Sequence, residues 1–359
     1  MELQNFIFDD INYIDNLKSR NFKIKNFNKY DLTLIKYPYE KNIDTNTYER
    51  YLKGCIIDKK TNKIVFIPPV KADPLNDINI DINNCCIQEL FDGTMINMFF
   101  HNDEWLLSTR SDIGLNNKWS KKSFKQMFQE SCNIDYDKLN KNHTYSFVLQ
   151  HVDNRNVSIV PENKCILVEV YDRETLQMVN LNIYKAQEYN GFQIVNDYNI
   201  DSLEGLINNI INAQDPSKFN YKGFTIKYNN KRLKFINPDF ENVKNLKINS
   251  NNPLFEYCSH TLKNTKDMYL YYFGEHRNIY TKYDNVLNIF KRDLLNTYVK
   301  ANIKKELEKK DISFQLKPLV YELHGNYLQT KQKINNRKVE EYIMSMEPDR
   351  LTFIMKYYL

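Results

Sequence analysis

Apolar and polar positions alternate over residues 31–37 (DLTLIKY), the period of a half-buried strand. Residues 53–58 (KGCIID) and 63–67 (KIVFI) flank a polar turn at 59–62 and predict a β-hairpin, ended by Pro68-Pro69, which cannot donate to a ladder. A second hairpin is predicted over 94–100 and 105–109, around the polar tip 101–104. Residues 145–150 (YSFVLQ) and 165–172 (CILVEVYD) predict two more strands, and 223–228 with 231–236 a third hairpin across Asn229-Asn230. Short helices are expected over 5–18 and 121–130. A further one follows Asp201, read as its N-cap with Glu204 at the capping-box position. Beyond the Asn/Pro-rich stretch at 249–253 the period changes. Val286, Leu287, Phe290, Leu294, Tyr298, Val299, Ile303 and Leu307 form a helical stripe along one helix of residues 284–310, and Pro348 opens a last helix. The expected organisation is α+β: an antiparallel-sheet domain over 1–248, then an all-α domain over 253–359.

Composition narrows the function classes. The chain has 359 residues, 42% of them apolar, enough for a sizeable core. No stretch approaches the roughly 20 apolar residues of a membrane span, and the acidic amino-terminal stretch has no export signal, so no membrane partner is expected. A net charge of +5 is only mildly basic, so the distribution of charge matters more than its total. Six cysteines without a Cys-x-x-Cys pair argue against zinc and for a reducing, cytoplasmic setting, and no metal site is expected. Cys85-Cys86 reads as buried strand and His151 as a structural histidine. Asn makes up roughly one residue in seven, well above ordinary usage, which points to an AT-rich coding sequence.

Five segments carry chemistry in a fixed order. Lys53-Gly54 opens the first hairpin, and Lys71 follows the double proline. Leu90-Phe91-Asp92-Gly93-Thr94 opens the second hairpin, with Thr109-Arg110-Ser111 at its far end. Phe147-Val148-Leu149 leads to Asn154-Arg155. Lys222-Gly223-Phe224-Thr225 precedes Lys234. In order and spacing, residues 30–250 resemble the phage-type RNA ligases of the covalent nucleotidyltransferase superfamily, and the chain resembles ligase-like proteins of large DNA viruses.

The resemblance implies a ligase-type nucleotidyltransferase fold and an ATP or GTP pocket with Mg. It also implies a lysine nucleophile in a Lys-x-Asp-Gly-Ser motif. Asp92, Gly93 and Thr94 match that motif, but Leu90 stands where the lysine should be. Val148 and Lys222 stand where the family has glutamates, and the second lysine of the closing Lys-x-Lys is Ile236. Leucine has no amine for a phosphoramidate, and valine cannot ligate a metal. The resemblance therefore implies a catalytically inactive protein that binds RNA, a nucleotide or a 5′ end. Its basic cleft would be formed by Lys53, Lys71, Arg110, Lys222, Lys227 and Lys234 beside Asp92, Gly93 and Thr94. A viral source would place it in the host cytoplasm or the virion. Two alternatives stand beside this reading. One is an active ATP-dependent RNA ligase with Lys71 as relocated nucleophile; the other is an assembly subunit whose helical domain binds a protein partner.

Overall fold

The computed structural model describes residues 12–37, 47–76, 80–117, 122–185, 191–228 and 231–359. The chain is mixed α+β, with antiparallel sheets first and helices last, and it divides into two compact units, Met1–Glu241 and Asn242–Leu359.

Unit 1 holds thirteen strands among its described residues: β1 Lys23–Phe27, β2 Leu32–Lys36, β3 Lys53–Asp58, β4 Ile64–Phe66, β5 Asp73–Pro74, β6 Cys86–Glu89, β7 Thr94–His101, β8 Glu104–Ser108, β9 His143–Gln150, β10 Lys164–Asp172, β11 Gln193–Ile194, β12 Gly223–Tyr228 and β13 Lys231–Ile236. They form three sheets, ordered β1-β2-β3-β4, β11-β10-β9-β7-β8 and β5-β13-β12-β6. The expected hairpins β3–β4, β7–β8 and β12–β13 all pair antiparallel. The tip of the last, Asn229-Asn230, lies outside the described residues.

The helices of unit 1 are α1 Tyr13–Ser19, α2 Phe124–Ser131, α3 Asn182–Lys185 and α4 Leu203–Ile211, and the unit boundary falls inside α5 Pro238–Leu246. The first half of the helix expected over 5–18 lies outside the described residues, and the second half is α1. One cap differs from expectation. Ser202, not Asp201, caps α4, its Oγ accepting from Gly205 N at 3.0 Å, which puts the start of the helix one residue later.

The two faces of the first sheet divide cleanly. Ile35, Cys55, Ile57 and Ile64 pack on Tyr13, Leu17 and Phe22. Leu32, Leu34, Ile56 and Phe66 pack on Phe99, Leu106 and Ile113. The third sheet buries Ile87, Phe224 and Ile226 against Leu203 of α4. Its opposite face is polar.

Unit 2 is helical throughout its regular structure: α6 Pro253–Leu262, α7 Lys266–Tyr272, α8 Arg277–Tyr298, α9 Lys317–Thr330, α10 Asn336–Met344 and α11 Pro348–Met355. The α8 stripe Val286, Leu287, Phe290, Leu294 and Tyr298 is buried as expected. The expected continuation to residue 310 fails. A π-helical turn, Val299–Ile303, adds a residue to the period, and Ile303 emerges 54% exposed. Of the described residues, no helix is long and apolar enough to cross a membrane.

Candidate functional site: a cluster of cations beside the Asp92-Gly93-Thr94 turn

Strand alternation decides which side chains face one another. On the third sheet, the pairs Thr225–Gln88, Thr225–Lys234, Lys227–Cys86 and Lys227–Arg232 share the polar face. Leu90 N donates to Gly223 O at 2.8 Å, which extends the β6 ladder by one step and places Leu90 on that face with Gln88. On the second sheet, Ser146, Val148, Glu169 and Asn97 share a face by the same logic.

The two faces are joined by a buried ion pair. Lys227 Nζ lies 2.7 Å from Glu169 Oε2 and donates to Val168 O at 2.9 Å, while Arg232 Nη1 stands 3.8 Å from the same carboxylate. Tyr171 Oη donates to Glu169 Oε1 at 2.7 Å. Burial pushes the Glu169 carboxyl up, but the two cations and these donors outweigh it and hold the group below the ordinary range. A bulge between Leu167 and Glu169 turns the carboxylate to this side.

The remaining cations converge on Lys53. Its amine is half-buried and pushed down to about 8. Burial is the main cause, followed by the charges of Arg110, Arg232, Lys234 and Lys222. A second bulge aims it. β2 and β3 pair Ile35 with Cys55 and then Lys36 with Lys53, leaving Gly54 as the extra residue, at φ +112°. With Gly54 paired in an unbroken ladder, Lys53 would share the apolar face of Cys55 and Ile57; the bulge puts it on the face of Lys36. Gly54 also lets the chain run against Arg110, since a Cβ there would stand 3.0 Å from Arg110 Cα.

The Asp92-Gly93-Thr94 turn is held from behind. Asp92 Oδ2 accepts from Val157 N at 2.8 Å and Ser158 N at 3.1 Å. Asn154 Nδ2 donates to Thr94 Oγ1 at 3.0 Å. Gly93 is pressed on β9, where a Cβ would meet Leu149 O at 2.5 Å and Val148 Cγ1 at 2.6 Å. Lys222 Nζ bridges the turn to the cleft, 3.2 Å from Phe91 O and 3.8 Å from Asp92 Oδ1.

The structure thus gathers Lys53, Arg110, Lys222 and Lys234 of the residues singled out in the sequence, with Asp92, Gly93 and Thr94 forming the adjoining turn. Lys227 is only 6% exposed and turns inward to Glu169. Lys71 is half-buried, its backbone N donating to Arg50 O at 3.3 Å. Sequence reasoning missed Arg232 and Glu169. The available signal was the alternation of β13, which puts Arg232 and Lys234 on one side.

His151 is structural, as expected: its buried ring meets Glu130 Oε2 at 2.8 Å through Nε2 and accepts from Asp153 N at 3.0 Å through Nδ1. Cys85 and Cys86 are half-exposed. A cavity of about 280 Å³ lies elsewhere, lined by Ser131, Glu162, Lys164 and Gly191 among others. None of that hollow's lining residues belongs to the charged cluster. Among the described residues no three His, Cys, Asp or Glu side chains gather as metal ligands.

No protein-family model matches this chain, and no curated protein matches it by sequence. Among solved structures it is similar to an archaeal ATP-dependent RNA ligase in two forms. The first has TM-score 0.47 and 11% identity over 68% of this chain and 64% of that one. The second has TM-score 0.48 and 11% identity over 69% and 64%. The chain therefore spans less than two thirds of that ligase. A Naegleria gruberi RNA ligase with PPi gives TM-score 0.33 and 10% identity over 63% of this chain and 97% of that one. At these scores the likeness fixes neither activity nor ligand.

Proposed function

We propose that this chain is an RNA ligase-like protein that binds the phosphates of a nucleotide or an RNA 5′ end without forming a covalent adduct. One observation carries the reading. Five cations, Lys53, Arg110, Lys222, Arg232 and Lys234, converge electrostatically on a cleft where residue 90 is leucine. Their mutual repulsion is relieved when an anion enters, and phosphate accepts hydrogen bonds from several of them at once.

The residues fit a triphosphate better than a bound divalent metal. The carboxylate on the facing sheets, Glu169, is already satisfied by Lys227. ATP or GTP would be held through its phosphates by Lys53, Arg110 and Lys234, and Mg would arrive with the nucleotide. The catalytic loss follows from chemistry: Leu90 has no lone pair for phosphorus, and Val148 and Lys222 supply no carboxylate.

The test is labelled ATP and GTP, with Mg, at low and high salt. The expected outcome is reversible, salt-sensitive binding and no adduct by intact-mass spectrometry. Lys53→Gln is expected to weaken binding about tenfold. No affinity at low salt sinks the proposal.

A second reading has its own observation. An amine pushed down to about 8 and ringed by phosphate-binding cations is a competent nucleophile, so an active nucleotidyltransferase would use Lys53 in preference to Lys71. Its mark is a covalent nucleoside monophosphate adduct abolished by Lys53→Ala and kept in Lys71→Ala.

A further inference from the structure

The ladder of the first sheet puts Lys23 directly opposite Lys36, and Lys36 directly opposite Lys53. Three lysines in register across three strands form a row on one face. Alternation confirms the side: Phe27 and Leu32, on the same face, pack on Phe99 and Ile113. Toward the far end of that face the apolar pairs give way to the lysine row.

Like charges directly opposite on a sheet are destabilising, and little in the described structure neutralises these. Lys36 Nζ donates to the neutral Ser111 Oγ at 2.7 Å. Burial lowers the Lys36 amine, and so do Arg110, Lys23 and Lys25; no carboxylate is among the causes. The nearby carboxylate, Asp112, is taken by Lys25 at 2.8 Å. Lys23 is exposed, with no ion pair among the described residues. The row ends at Lys53, inside the cleft.

We infer that the Lys23–Lys36–Lys53 row is the track along which the phosphodiester backbone of a single RNA strand runs out of the cleft. This rests on the phosphate-binding reading above and names its substrate class. Spacing favours a strand over a lone nucleotide. Neighbouring strands lie about 4.8 Å apart, so the row spans about 10 Å. A stacked strand advances about 3.4 Å per phosphate, so the row runs past about three phosphate steps. A mononucleotide triphosphate held at Lys53 and Arg110 would leave Lys23 without a partner. An extended acidic peptide brings same-side carboxylates only about every 6.8 Å, wider than the roughly 4.8 Å between neighbouring lysines of the row.

The experiment is fluorescence anisotropy of the full chain with a 5′-phosphorylated RNA 12-mer, set against ATP, inorganic tripolyphosphate and a poly-glutamate peptide. Each is measured over a salt series for wild type, Lys23→Gln and Lys23→Gln/Lys36→Gln. The double variant is expected to bind the 12-mer about tenfold more weakly and to lose about 1.4 from the salt slope, since each neutralised single-strand phosphate contributes about 0.7. ATP is expected to lose far less. Melting temperatures are expected to hold or rise, because a repulsion is removed. An unchanged RNA slope overturns the track, as does equal loss of ATP and RNA, or poly-glutamate or tripolyphosphate competing as well as RNA. Wild type that binds ATP but gains nothing with the 12-mer sinks the track alone; wild type that binds neither sinks the cleft reading too.

Discussion

Lys53 is the residue through which the cleft would sense pH. Its amine titrates near 8 because burial and four neighbouring cations disfavour the charged form. Below that value it is protonated and attracts phosphate; above it the attraction is lost. ATP affinity is therefore expected to fall between pH 7 and 9, by up to about tenfold, where an unperturbed lysine would hold its charge to about 10.4. Calorimetric titration at pH 7, 8 and 9 checks this, and a flat profile removes Lys53 from the site. Lys227 belongs to a different class. Replacing it by Met strands Glu169 in the interior, with an expected cost of about 3–5 kcal/mol in urea unfolding. Adding Glu169→Leu is expected to restore most of that loss, as removing both members of a buried pair often is close to neutral.

At the scale of elements, the strands with clear alternation were legible: β2, β3, β7, β8, β9, β10, β12 and β13 fall within a residue or two of expectation. What escaped was whatever depends on a neighbour. β1 and β6 are short and polar and become strands by pairing with β2 and β12. Lys227, Arg232 and Lys234 look in the sequence like a solvated charged strand. Only the presence of a second sheet over that face makes Lys227 a buried partner of Glu169. The π turn after Tyr298 leaves no mark in a pattern read at a constant period. Gly93 and Gly54, by contrast, were visible as motif residues, though not their reason, which is backbone contact in one and a bulge in the other. Gly54→Ala is expected to cost about 1–2 kcal/mol by chemical denaturation, from a Cβ at φ +112° and 3.0 Å from Arg110 Cα. It is expected to weaken ATP binding as well, because Lys53 and Arg110 part company.

At the scale of the whole molecule, the two compact units are expected to respond differently to acid. In unit 2, His260 is 1% exposed and stacked 4.2 Å from Tyr269, with Nδ1 2.9 Å from Thr265 Oγ1. Burial, helped by Lys263 and His276, pushes it down to about 4. The folded state therefore resists protonation that the unfolded chain accepts at about 6.5. The stability this group contributes is full above pH 6.5 and is lost as the pH falls toward 4, by about 1–3 kcal/mol. Thermal melts at pH 7 and 4.5 are expected to show unit 2 weakening first, and His260→Gln is expected to flatten that dependence. Unit 1 has no counterpart of this kind in its cleft, where the relevant titration lies near 8.

The Gly54 bulge ties strand register to electrostatics. Were Gly54 to enter the ladder as an ordinary residue opposite Lys36, everything upstream of Cys55 would turn over by half a pleat. Lys53 would then emerge among Ile35 and Ile57, burying a charge in oil and leaving the opposite side with two lysines in place of three. A one-residue change of pairing at this point, with no change to any side chain upstream of it, would carry Lys53 to the other side of its own sheet.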